Sequence, residues 1–194
     1  MKKFFLSPVL FFAITGLFLL SANLPTDSTN ASSTVKMAEG ELDMAAAKSA
    51  FVKLYNASRT SFKDFKKGDK QTLEGTELMY FDSSLEFPGA VKSIITLDGE
   101  DSHYFEATFF PGSEDKAHSM ATDLAEALFA SVPQKGFALR DGTDVRFHNY
   151  KKKSIEFDSD NISMMGRYPS ASIGVIKDGD HFIVELRILE PFWK

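Results

Sequence analysis

Residues 181–188 alternate Phe182, Val184, Leu186 and Ile188 against His181, Ile183, Glu185 and Arg187. Successive side chains of a strand point to opposite faces, so a period of two sets an apolar face against a polar one and excludes an amphipathic helix here. Val145, Phe147 and Asn149 against Arg146, His148 and Tyr150 repeat the pattern. One face on a core and the other toward water is the habit of an antiparallel sheet.

Turn chemistry extends this reading along the chain. Asp98-Gly99, Asp141-Gly142 and Asp178-Gly179 each separate runs rich in β-branched or aromatic residues, and Asp-Gly supplies the positive φ that tight hairpin turns require. Three hairpin tips predict about six strands.

Two helices complete the pattern. The first is predicted from Glu41 and Asp43, in its opening turn, to Lys63, Lys66 and Lys67 in its last, with Gly68 as the stop; the charges complement the helix dipole and the glycine ends it. Its packing stripe is Phe51, Leu54, Tyr55, Ser58, Phe62 and Phe65. The second starts at Ser113 as N-cap, carries Glu114 and Asp115 in its first turn, and stops before Pro133. Its stripe is Ala117, Ala121, Leu124, Ala125, Leu128 and Phe129. Both stripes read as core. The predicted fold class is α+β: an antiparallel sheet with two helices on one face, in the order αβββ-αβββ. Phe87-Pro88-Gly89 and Phe110-Pro111-Gly112 hint at duplication, although Pro-Gly is common turn chemistry and two unrelated turns is the more ordinary explanation.

The N-terminus predicts an address. Lys2 and Lys3 precede an apolar run through Leu20 with no acidic residue, ending in the small residues Ser21 and Ala22, which is the layout of an export signal. Pro8, Thr15 and Gly16 weaken a membrane-spanning helix and favour cleavage. Leu20 is a poor third residue before the cut, so a retained membrane anchor is the alternative. Residues 23–40 are polar and rich in Ser, Thr and Asn, too poor in large apolar side chains to offset ordering entropy, and are predicted to form a disordered linker. The folded domain is then 41–194.

A chain with no cysteine has neither disulfides nor a lipid-modified cysteine and must hold its fold by burial. Loss of 22 of the 194 residues leaves 172, enough for one domain with a full core. The formal charge of −5 becomes −7 when Lys2 and Lys3 are removed, which argues against nucleic acid or an anionic lipid surface as partner. The basic clusters Lys63, Lys66, Lys67 and Lys151, Lys152, Lys153 read as solvated ends. Asn30, Asn56 and Asn161 each head an N-glycosylation triplet, but the leader looks bacterial.

No catalytic signature emerges. His103, His118, His148 and His181 show no helical pair at zinc-binding spacing. His103 and Glu106, three apart on a strand, face opposite ways. Arg146, His148 and Tyr150 share one strand face, as do His181, Glu185 and Arg187, and the two sets would form a polar patch if their strands paired. Neither a serine-nucleophile elbow nor a phosphate loop is present. Asp158-Ser159-Asp160-Asn161 opens like a calcium loop but continues with Ile162, and the acidic tips 98–101 and 141–144 are explained by turn formation. No metal and no cofactor is expected. The chain has 19 Phe, 5 Tyr and 1 Trp, and most of those outside the leader, which holds Phe4, Phe5, Phe11, Phe12 and Phe18, should fill the core; Phe192 and Trp193 should fold back onto it.

The expectation from sequence is an exported, periplasmic or secreted binding or protein-interaction module, with an unknown envelope or extracellular protein or ligand as partner. The alternatives are an enzyme using His148 and His181 on the polar sheet face, and the same domain held at the membrane by an uncleaved leader.

Overall fold

In the computed structural model, residues 42–73, 76–98, 102–133, 135–144 and 150–193 are described. The leader and linker predictions fall outside them. Eight strands form one antiparallel sheet, with three helices: α1 (Met44–Ala57), β1 (Lys66–Thr72), β2 (Met79–Ser83), β3 (Lys92–Asp98), β4 (Ser102–Phe109), α2 (Glu114–Phe129), β5 (Phe137–Asp144), β6 (Tyr150–Phe157), α3 (Ile162–Met165), β7 (Ser170–Asp178) and β8 (His181–Leu189). The α+β class stands. The count of about six strands and two helices is too low, and the order is αββββ-αββαββ.

The strands run β1-β2-β3-β4-β8-β7-β6-β5 across the sheet. Each half is a meander, and the halves join at the centre where β4 pairs antiparallel with β8, Phe105 opposite Ile188 and Glu106 opposite Arg187. The likeness between halves is one of element order. The two Phe-Pro-Gly turns fall at unlike places, one between β2 and β3 and the other between β4 and α2.

The period-two pattern of β8 is realised: Val184, Leu186 and Ile188 are fully buried. With Phe105 and Ala107 of β4 and Ala171, Ile173 and Val175 of β7, they make the sheet face on which α1 and α2 pack. Helix α2 contributes the predicted stripe, Ala117, Ala121, Leu124, Ala125 and Leu128. Ser113 caps it, its hydroxyl accepting from the Lys116 N–H.

Helix α1 is shorter than predicted. Asp43 is its N-cap, accepting from the Ala45 and Ala46 N–H groups, and the helix ends at Ala57. The hydroxyls of Ser58 and Thr60 bond back to the carbonyls of Tyr55 and Ala57, and Ser61 and Phe62 adopt positive φ. Burial of the whole Phe62 ring offsets the strain of that backbone. Lys63 therefore lies in a 3₁₀ turn and Lys66 and Lys67 in β1.

Asp178-Gly179 is a hairpin tip, with Asp178 opposite His181 and Gly179 at φ +60°. Asp98-Gly99 sits in the β3–β4 hairpin, whose tip, residues 99–101, lies outside the described residues. Asp141-Gly142 is not a tip. Both residues lie within β5, opposite Lys153 and Lys152, and the register runs on to Asp144 opposite Tyr150. Of the predicted strand at 145–150, Val145 to Asn149 lie outside the described residues, and Tyr150 is the first residue of β6.

Candidate functional site

Of the first polar set predicted to form a patch, only Tyr150 is described, and its strand does not pair with the strand of His181, Glu185 and Arg187. Tyr150 is the first residue of β6, and β7 separates β6 from β8. Arg146 and His148 lie outside the described residues, and His181 is exposed beside the β7–β8 turn. Glu185 and Arg187 do share a face, and the structure shows what they do there. The Arg187 guanidinium meets Glu185 on its own strand and Glu106 across the sheet, the latter at 3.3 Å. It also lies 5.1 Å from the Tyr104 ring centroid. Burial works against the Arg187 charge, but the two carboxylates outweigh it and hold the guanidinium more firmly protonated. Burial raises the Tyr104 hydroxyl despite Arg187 beside it. His103, on the other face, has its backbone N–H bonded to the Glu190 carboxylate at 2.9 Å.

The residues likened to a calcium loop close turns. Asp158 pairs with Arg140, Ser159 accepts from the Asn161 N–H, and Asn161 caps α3 by accepting from the Ser163 N–H. Among the described residues no group of three His, Cys, Asp or Glu side chains could hold a metal ion, and no helix is long and apolar enough to cross a membrane.

A concave feature lies on the helix side of the sheet, at its β5 end. It has a volume of about 490 Å³, within the usual range for small-ligand sites. Phe51, Val52, Tyr55, Asn56 and Arg59 of α1 and the turn beyond it form one wall. Ser131, Val132, Pro133 and Lys135, after α2, form the second. Phe137 of β5, Phe157 of β6 and Tyr168, just after α3, form the third.

The third wall is an aromatic cluster. Phe157 and Tyr168 stack at 4.2 Å, and Phe137 meets both edge-on, at 5.4 and 5.6 Å. Tyr55 approaches Phe137 at 6.5 Å, and its hydroxyl donates to the Pro169 carbonyl at 2.8 Å, tying α1 to the segment that carries Tyr168. Burial pushes that hydroxyl far above its ordinary range, the effect of Arg59 being smaller and opposite. Arg59 lies 5.9 Å from the Tyr168 centroid, so a cation sits at the rim beside a ring, with the exposed Lys135 as a second cation. Gly136 makes the close turn into β5 possible: its φ is +84°, and a Cβ there would come within 2.6 Å of the Phe157 ring.

Chemically, this lining offers ring faces and two cations. Among the described residues that form it there is no carboxylate, imidazole or thiol, and the Ser131 hydroxyl is bonded to the Ala127 carbonyl. That equipment favours holding an apolar or aromatic group with a negative charge over acid–base chemistry. Sequence reasoning assigned these rings to the core; Phe51 and Tyr55 are indeed buried and line the groove as well. The local signal was the Pro133-Gln134-Lys135-Gly136-Phe137 run after α2, where a glycine between a cation and an aromatic marks a tight approach.

At the chain end, the Trp193 backbone N–H bonds the Gly166 carbonyl at 2.8 Å and the indole lies against Gly166. The backbone turns back, but the rings do not enter the core as expected: Trp193 is 52% and Phe192 79% exposed.

Comparison with protein families, curated proteins and solved structures returned no match to this chain.

Proposed function

We propose that this chain is an exported binding module whose ligand site is the aromatic groove between α1, the end of α2 and the β5–β6 edge. The observation that carries the reading is the stacked Phe157–Tyr168 pair, flanked by Phe137 and capped by Arg59. Partly exposed rings held rigid by one another bind at low entropic cost, and the rim cations select for an anionic group. The ligand class is therefore an apolar or aromatic group bearing a negative charge. Export rests on the leader, Met1 to Ala22; a mature N-terminus near Asn23 by N-terminal sequencing supports it, and recovery of intact Met1 in the membrane fraction favours the anchored alternative.

The groove is tested with anilinonaphthalene sulfonate, an anionic aromatic probe, titrated into folded protein. Saturable one-site fluorescence is expected, weakened about tenfold by Tyr168→Ala and by Arg59→Ala, with thermal unfolding still cooperative. Affinity in both variants equal to that of the unsubstituted protein refutes the site.

A further inference from the structure

The groove adjoins an edge of the sheet. β5 ends the strand order, and among the described residues no strand pairs on its outer side. Its register against β6 is unbroken from Phe137↔Phe157 to Asp144↔Tyr150, and the Asp158 N–H bonds the Gly136 carbonyl at 2.7 Å. In an antiparallel pair the bonded positions alternate. The even-numbered residues of β5 therefore exchange bonds with β6, and the N–H and C=O groups of Phe137, Leu139 and Asp141 point away from the sheet. Side chains at these odd positions lie on the helix side, with Phe137 in the groove wall. A residue paired with Phe137 from outside would thus place its own side chain on that same face, over the groove.

The opposite edge is built differently. β1 carries Lys66, Lys67, Asp69 and Lys70, its pairing register shifts between Lys67 and Gln71, and Gly68 has φ +72°. Charge and a bulge are the devices that keep a sheet edge from recruiting another strand. The stretch Phe137-Ala138-Leu139 has neither.

We propose that the β5 edge and the groove are one peptide-binding site: an extended segment of a partner protein adds as a ninth strand, and its aromatic or large aliphatic side chain opposite Phe137 enters the groove. This rests on the groove being the ligand site and names the occupant. Acidic residues in the segment would face Lys135 and Arg59, which are exposed. A second copy of this chain fits less well. Of the self-pairings that bond outward groups to outward groups, the two that use seven of the eight β5 residues are centred on Arg140 or Asp141, so they set Arg140 against Arg140 or Asp141 against Asp141, and like charges directly opposite destabilise a pair; the one centred on Leu139 uses only five of the eight.

The test uses the full chain and a displayed library of random ten-residue peptides. Enriched sequences should combine an aromatic or large aliphatic residue with net negative charge, and Lys135→Glu should weaken the best peptide about tenfold. On binding, amide exchange at Phe137, Leu139 and Asp141 should slow at least about tenfold. N-methylation of the peptide at alternate residues facing β5 should weaken binding by a similar factor, while methylation at the intervening residues should leave it unchanged. Absence of enrichment overturns the proposal. So does equal tolerance of both methylation sets, which would leave the groove intact as a site since the sulfonate probe tests that separately. Concentration-dependent dimerisation that protects the same three amides assigns the edge to a second copy, and tighter binding of a peptide spanning residues 23–40 assigns it to this chain; either result also overturns it.

Discussion

Tyr55 concentrates several physical effects in one side chain. Its ring is buried against Phe51, 5.5 Å away, and its hydroxyl reaches across 114 residues of sequence to the Pro169 carbonyl. Burial raises its pKa above the ordinary 10, as it does for Tyr104. A phenol whose folded pKa lies above its unfolded value gives full stability below the unfolded pKa and loses it as pH rises toward the folded one. Stability should therefore be insensitive to these two groups below about pH 10 and then fall by up to about 1.4 kcal/mol per pH unit for each. Tyr55→Phe should cost about 1 kcal/mol at neutral pH through the lost hydrogen bond and flatten the alkaline decline. Denaturant unfolding across pH 7 to about pH 11 measures both.

Among the elements, α2 was legible in full because its signals are local: Ser113 caps, Glu114 and Asp115 follow, and one apolar stripe ends before Pro133. For α1 the opening was legible only to within a turn, Asp43 being the N-cap rather than a first-turn residue, and the end was not legible. Lys63, Lys66 and Lys67 resemble a basic last turn, yet the serine and threonine hydroxyls after Ala57 compete for helix carbonyls and the left-handed Phe62 sends its ring into the core. Only tertiary burial rewards that break. The Asp141-Gly142 pair misled for a related reason: glycine permits a turn without requiring one, and opposite Lys152 it continues a strand. The Asp43 cap accepts two N–H groups, so Asp43→Ala should lower stability by about 1 kcal/mol. Amide exchange should show the effect greatest at Ala45 and Ala46, with α2 following only the global change.

At the scale of the whole molecule, the sheet's two faces do different things. The polar face is locked internally, with Arg187 shared between Glu106 and Glu185, whereas the helix-covered face opens at its β5 end into the groove. The period-two pattern of β8 identified those faces in the sequence. The groove was not legible, because its lining comes from residues 51–59, 131–137, 157 and 168, and no local pattern in one sequence says that these segments meet. The central claim is that this convergence is a binding site. Its most direct measurement is an amide NMR titration of the folded protein with naphthoate, a small aromatic anion. The account predicts saturable shifts clustered on Val52, Tyr55, Arg59, Phe137, Phe157 and Tyr168; shifts clustered instead around Glu106 and Arg187 on the opposite face would contradict it.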